Sequence, residues 1–210
     1  FIIPELILSC TKKIKASSGF DAISQAIESL LSRGSDKKSV KFATQSLEHT
    51  LKNYIKYLKK PSIKNSFYMA LGANFAGKAI NISKTNGPHA LSYPFTSNFG
   101  VHHGHAVSLT LNEFLKFNYL NMNKSDCNFN LKHRYSLIFK LTKTNSIQEL
   151  DTYLKNLKKA ASLQQNFLKL GVNIENDFSK ILSEINIQRL SNNPISLDKE
   201  VLKKILFKEI

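Results

Sequence analysis

Tryptophan is absent from this 210-residue chain, cysteine occurs only twice, and no apolar run approaches the ~20 residues that a membrane-spanning helix requires. Cys10 and Cys127 stand far apart and outside any CxxC spacing. That excludes a disulfide framework and a thiolate metal site, and it fits a reduced, cytoplasmic setting with no membrane partner. The opening "FIIPELILSC" has no Met, no basic n-region and no small-residue cleavage site, so it does not read as a signal peptide. It reads as a chain entered partway through. A GxGxxG or other Gly-rich turn after a strand is missing too, which removes the usual phosphate cradle of a dinucleotide-binding domain. Acidic residues are scarce: 15 Asp and Glu face 30 Lys and Arg, for a net charge of +15. Such an excess raises the question of nucleic acid, but the lysines are scattered through "YLKK", "LKNLKK" and "LKK" on presumed polar helix faces. No Arg cluster or stacking-aromatic pattern accompanies them, so they read as solvated faces, not as a nucleic-acid surface. The charge can still draw in an anionic substrate or cofactor.

What is present is helical periodicity over a 42% apolar composition, enough for a substantial core. In "DAISQAIESLLSRG" one stripe collects Ala22, Ile23, Ala26, Ile27, Leu30 and Leu31, with Gly34 offered as C-cap. Val40, Ala43, Leu47, Tyr54 and Leu58 predict a longer helix stopped before Pro61. "SFYMALGANFAGKAINIS" is small and apolar, as suits a helix packed closely on its neighbours and not lying on the surface. Pro88 is placed for the first turn of another helix, which Pro94 should kink or end. "GHAVSLTLNEFLKFN" resumes as helix, and "NYLNMNKSDCNFN" reads as loop. Capping boxes at Ser146 with Glu149 and Ser162 with Gln165 each precede an apolar helical pattern. Beyond Gly171 a helix carries Phe178, Ile181, Leu182 and Ile185, and Ser196 offers an N-cap for a last helix through Val201 and Leu206. Alternating β-pattern is scarce, and neither repeat nor long linker interrupts the chain. The expected fold class is all-α, a bundle-like helical domain.

Four of the six histidines crowd into "GPHALSYPFTSNFGVHHGHA". Asp21 and Gln25, four apart, share a helix face, although an acid near a helix start also serves as a cap or dipole partner. His89 can be a polar first-turn residue, and His103 and His105 open the next helix. Taken together, one carboxylate and two imidazoles are the ligand types of a divalent metal site with open positions. His49 and His133 fall on polar, lysine-rich faces and read as solvent-exposed.

Three segments, "ASSGFDAISQAIES", "GANFAGKAINISKTNGPHALSYPFTSNFGVHHGHAVSLTLNEFLKFN" and "RLSNNPISLDKEVL", resemble in order the signatures of iron-containing (group III) alcohol dehydrogenases. "KAINISKTNGPHALSYPFTS" with "HGHAVSLTL" is similar to the phosphonoacetaldehyde reductase branch of that family. The resemblance is specific over residues 16–30 and 72–118 and looser over 120–185. "PEL" at residues 4–6 resembles the segment linking the family's nucleotide domain to its helical domain. Residues 1–15 would then be linker and domain entry, and 16–210 the C-terminal all-α metal and substrate domain of the dehydroquinate synthase-like fold.

The resemblance implies that Asp21, Gln25, His89 and His103 occupy the family's metal positions, the two histidines keeping its spacing of fourteen. Position 25 departs from the pattern, with Gln where His is usual. Either Asp21, His89 and His103 hold the ion with Gln25 marginal, or occupancy is poor. Tyr93 replaces a His common in relatives, and a phenol there can still relay a proton. His105 is a second catalytic candidate, with a structural hydrogen bond as its rival role, and His102 is incidental. Lys84 and Thr85 are offered as contacts for a substrate head group, against plain exposure at a helix end. The family implies NAD(P)-dependent interconversion of a small aldehyde and its alcohol, on a divalent metal such as Fe or Zn, and often a homodimer. NAD(P) would be bound mainly by an N-terminal domain absent here, so this chain alone should be inactive. The alternatives are a general short-chain alcohol or lactaldehyde dehydrogenase of the same family, and a non-catalytic degenerate helical module.

Overall fold

Thr11 decides where the central helix starts: its hydroxyl accepts from the Ile14 amide at 3.3 Å, and the helix α2 runs from Lys12 to Leu31. Asp21 therefore lies mid-helix and not at a helix start, and its reading as a cap falls. The helix ends on Ser32, whose amide donates to Glu28 O at 2.8 Å, and not on Gly34. Fourteen of its 20 residues are buried, which makes it the core element and not a surface helix with one apolar stripe. The computed structural model describes residues 1–210, all of its regular structure helical.

Helix α1 (Pro4–Leu8) precedes α2, and Tyr57 donates its hydroxyl to Ile7 O at 3.0 Å. Helices α3 (Lys37–Lys59) and α4 (Ile63–Ser83) form an antiparallel pair against α2. Asp36 and Ser39 cap α3 reciprocally: the Ser39 amide donates to Asp36 Oδ1, and the Asp36 amide donates to Ser39 Oγ. Helix α4 does pack closely, through the stripe Ser66, Met69, Gly72, Ala76 and Ala79. Its outer face, with Phe67, Ala73, Asn74 and Lys78, is nonetheless exposed, so it lies at the surface after all.

Helix α5 (Gly87–Phe99) carries Pro88 in its first turn as expected, and Pro94 does not end it: the helix runs on to a left-handed cap at Gly100. The stretch 104–118 divides into α6 (His103–Ser108) and α7 (Leu111–Leu120) at Leu109 and Thr110. Helix α8 (Leu131–Thr142) follows the loop on an Asn130 cap, an element that the apolar pattern did not disclose. Ser146 caps α9 (Ile147–Ala160), accepting from the Glu149 amide; Glu149 returns to the Asn145 amide and not to Ser146. Ser162 starts no helix: it sits at φ 59°, and the Gln165 side chain turns to Ser108 Oγ and nearby carbonyls. Helices α10 (Ile174–Ser183), α11 (Ile187–Leu190) and α12 (Lys199–Phe207) complete the chain, the last capped by Asp198 where Ser196 was expected.

The core has two parts. The larger gathers α2, α3, α4, α8 and α9 around Phe20, Ile27, Leu47 and Tyr54. The smaller joins α5, α6, α10 and α12 around Leu91, Phe95, Ile181 and Ile205. Lys158 on α9 is buried between them and donates to Ser108 O at 3.0 Å and Asn112 Oδ1 at 2.9 Å, which fixes the far end of α6. Burial brings its ammonium down from the ordinary lysine range to about 7. The unfolded chain thus binds this proton more tightly than the native one, and the associated stability increases as pH rises from about 7 toward the ordinary lysine pKa. Subtracting the Tm-versus-pH curve of Lys158→Met from that of the parent chain should leave a positive slope over this window. A flat difference would show that the ammonium titrates normally.

Candidate metal centre

Asp21, Gln25 and Glu28, at i, i+4 and i+7, lie along one face of α2; α6 packs on that helix, and the first turn of α5 reaches the same face through Asn86 and His89. One glycine allows the approach of α6, and a second seats α5 against Phe114 of α7. A Cβ on Gly104 would lie 2.2 Å from Ser17 O and 2.6 Å from Asp21 Cβ, so only glycine lets α6 seat here. A Cβ on Gly87 would lie 2.1 Å from the Phe114 ring, so the first turn of α5 is equally constrained. Glu28 anchors that turn: Oε2 accepts from the Asn86 amide at 2.8 Å, placing a carboxylate at the N-terminus of α5. Its other oxygen, Oε1, receives His89 Nδ1 at 2.5 Å.

This contact sets the tautomer. With the Nδ1 proton given to Glu28, the Nε2 lone pair of neutral His89 points at Asp21 Oδ1, 3.2 Å away. His103 is arranged alike. Ser92 donates its hydroxyl to His89 O at 2.8 Å, leaving Ser92 Oγ to accept from His103 Nδ1 at 3.4 Å. His103 Nε2 then faces the same Asp21 oxygen at 3.9 Å. The ligand atoms of Asp21, His89 and His103 all lie within 4.8 Å of one another. Asp21 Oδ1 and His89 Nε2 are buried and neither has a hydrogen-bond partner. Three lone-pair donors aimed at one point, two of them orphaned, fit a divalent cation.

Without a cation, a proton is the substitute. Burial opposes charge on His89, but the Glu28 and Asp21 carboxylates outweigh it and push the imidazole up to about 9. His103 is held below the ordinary histidine range by burial, with Asp21 opposing and the positive charges of His89 and Arg189 adding to the effect. Side-chain exposure rises from 3% at His89 through 19% at Asp21 to 40% at His103, so the centre opens on the His103 side.

The remaining candidates are distributed around this cluster. Gln25 is half-buried beside it and its amide donates to Asp21 Oδ2 at 2.7 Å, orienting the carboxylate so that Oδ1 stays turned to the histidines. The Tyr93 ring tilts against His103, with centroids 5.9 Å apart. His105 is directed elsewhere: Nε2 pairs with Gln164 O at 2.6 Å, and the backbone amide donates to Ser17 Oγ at 3.1 Å. Those contacts support the structural role that was its alternative. With His102, Lys12 and Lys13 it lines a separate cavity of about 300 Å³. Lys84 is exposed at the C-cap of α4, and Thr85 is fully buried with its hydroxyl accepting from Arg189. Burial closes Thr85 to substrate, contrary to its reading as a head-group contact. His49 is half-buried between the rings of Tyr68 and Phe75, not solvent-exposed.

Glu28 and Arg189 went unnoticed in the sequence. The i+7 spacing from Asp21 was a usable signal for Glu28; nothing local marked Arg189.

The model of the Fe-containing alcohol dehydrogenase family, C-terminal part, matches residues 15–210. The phosphonoacetaldehyde reductase of Streptomyces viridochromogenes is 28% identical over 119 residues, 56% of this chain and 30% of that protein. The 4-hydroxybutyrate dehydrogenase of Clostridium kluyveri is 26% identical over 164 residues, 77% of this chain and 43% of that protein. Sulfoacetaldehyde reductase from Bifidobacterium kashiwanohense, solved with NAD+, superposes with a TM-score of 0.83 at 24% identity. That superposition covers 98% of this chain and 52% of the reductase, and at this identity it shows a shared fold. The chain thus spans less than half of the curated relatives and about half of the solved structure.

Glu28→Gln keeps the shape of the side chain that holds His89 and removes its charge. The affinity for Zn²⁺ is expected to fall by about 10–100-fold, read by chelator competition with the circular dichroism unchanged. Unaltered affinity would mean that Glu28 supports only the fold.

Proposed function

This chain belongs to the Fe-containing alcohol dehydrogenase family as its C-terminal, helical part, and from that premise we propose that it is the metal- and substrate-bearing domain of an NAD(P)-linked oxidoreductase interconverting a small aldehyde and its alcohol. Residues 1–15 enter the domain, 16–210 form it, and a preceding nucleotide-binding domain supplies the dinucleotide. The observation that carries the reading is the convergence of Asp21 Oδ1, His89 Nε2 and His103 Nε2, two of them buried without a partner.

These three residues hold a divalent ion, Fe or Zn, with Gln25 alongside. Such an ion, when bound, supplies Lewis-acid chemistry to a carbonyl oxygen. Glu28 and Ser92 keep both imidazoles in the tautomer that presents Nε2. Gln25 holds Asp21 by its other oxygen. Tyr93, whose ring tilts against His103 on the open side, is the phenol we assign to hold the proton exchanged with the alcohol oxygen. The substrate we favour is phosphonoacetaldehyde or a similar short aldehyde. In support, the names of three relatives pair a two- or four-carbon aldehyde or alcohol with a phosphonate, a sulfonate or a carboxylate. A general alcohol or lactaldehyde dehydrogenase would show no preference for such groups. The departure at Gln25 is what favours a degenerate, non-catalytic module.

Metal analysis after purification without chelator separates these readings. Bound Fe, Zn, Mn or Ni, lost on Asp21→Ala, is expected; none bound and none bindable would sink the metalloenzyme. Gln25→His restores the family's usual imidazole and should tighten Zn²⁺ binding by roughly tenfold or more, since imidazole nitrogen is the better donor for such ions. In the two-domain enzyme, aldehyde-dependent oxidation of NADH or NADPH should fall by about a thousandfold in Asp21→Ala, the several kcal/mol that Lewis-acid assistance contributes.

A further inference from the structure

Beside the metal centre lies a second concentration of chemistry that the proposed reaction has not used. A cavity of about 490 Å³ is lined by Lys84, Gln188, Arg189, Ser191 and Asn192, with no apolar residue in its wall. Arg189 is half-buried, and no carboxylate pairs with it. Its one side-chain hydrogen bond goes to the neutral Thr85 hydroxyl. Lys84 likewise donates only to a carbonyl, Asn81 O, at 3.0 Å. A guanidinium carries five N–H donors in a rigid fork, and Arg189, which lines this cavity, commits only one terminal nitrogen to a protein partner.

The guanidinium is held in place from two sides. Thr85 accepts from one terminal nitrogen, and the Tyr93 ring lies beneath the guanidinium carbon at 5.5 Å from its centroid. Asn192 ties the segments together, its amide donating to Ser83 O at 2.8 Å and Thr85 O at 2.9 Å, so Lys84 and Arg189 keep their relative positions. Tyr93 is also the ring against His103. The free fork therefore stands one aromatic ring away from the metal centre, on the side where that centre opens.

We infer that Arg189, with Lys84 at the rim, is the subsite for the anionic head group of the substrate, a carboxylate, sulfonate or phosphonate on a short aldehyde. This rests on the aldehyde reading above and adds where selectivity for the anion resides. Two oxygens of the head group accept from the fork, and Lys84 adds a second positive charge without directional demand. Thr85 and Tyr93 are positioning residues for Arg189. Because the fork is ordered before the ligand arrives, little further entropy is lost on binding.

The test compares kcat/KM of the two-domain enzyme for phosphonoacetaldehyde and for butanal. Arg189→Gln should lower the anionic-to-neutral ratio by about 30-fold or more, as loss of a charge-assisted pair predicts, mainly through KM. Arg189→Lys should recover part of it. Lys84→Gln, a change on an exposed side chain, should lower the ratio severalfold and decides the matter if Arg189→Gln does not fold. An unchanged ratio in folded, metal-loaded variants overturns the inference. So does a raised KM for NADPH with the aldehyde ratio unmoved, which would assign the cation to a cofactor phosphate. Should no aldehyde be turned over, the enzymatic reading fails by itself, and methylphosphonate binding to the same enzyme then judges the subsite. Binding lost in Arg189→Gln upholds it, and no binding, or binding unaffected by the change, refutes it.

Discussion

A carboxylate taken out of water must be met by a partner, and α2 carries two of them, seven residues apart, on a helix with fourteen of its 20 residues buried. Much of the arrangement around this helix answers that constraint. Glu28 is satisfied by the first turn of α5, through the Asn86 amide and His89. Asp21 is satisfied at one oxygen by Gln25 and left at the other with two imidazoles. The contacts of Glu28 with Asn86 and His89, and of Asp21 with both imidazoles, go with the placement that brings His89 and His103 together. Gly104 lets α6 seat against α2, and Gly87 lets the first turn of α5 seat against Phe114 of α7.

This accounts for which parts of the molecule could be read in the sequence. Periodicity disclosed α3, α9, α10 and α12 because each keeps an apolar face against the core, small apolar residues marked α4 and Pro88 marked α5, and the all-helical class followed. It misjudged the start of α2 because the apolar stripe sets in only at Ala22, after the Lys- and Ser-rich run from Lys12 to Ser18, and the hydroxyl cap at Thr11 lies ten residues before Asp21. The capping rule misled at Ser162, where the Gln165 side chain finds a partner on α6, a contact between distant parts of the chain. Helix α8 carries Lys132, His133, Arg134 and Lys140 among its apolar residues, which blurred the pattern.

The metal positions were named from family resemblance, and the geometry brings Asp21, His89 and His103 within 4.8 Å independently of it. What the resemblance did not supply was the support. Glu28 looks in sequence like one more polar helix residue, and only its near-complete burial shows that it acts on His89. Thr85 shows the reverse. Its place beside Lys84 was read as access to substrate, yet a fully buried hydroxyl serves only its protein neighbour, and that neighbour, Arg189, is 104 residues away.

Gln25 can now be weighed on its contacts and not on its absence from a pattern. An imidazole at that position would supply a ligand nitrogen; the amide supplies a hydrogen bond to Asp21 Oδ2 and leaves Oδ1 as the oxygen turned to the histidines. The substitution therefore preserves the orientation of the carboxylate while removing one donor from the set. A disused site would be under no such constraint. Without a cation, Asp21 Oδ1 and His89 Nε2 are buried at a cost that only a proton on His89 offsets. Yet the glycines, Glu28 and Ser92 that create this arrangement are all in place. The cheaper course for a chain that needed only to fold would be to replace Asp21 with an apolar residue. That it keeps a carboxylate there, facing two imidazoles, is the strongest physical argument against the degenerate reading.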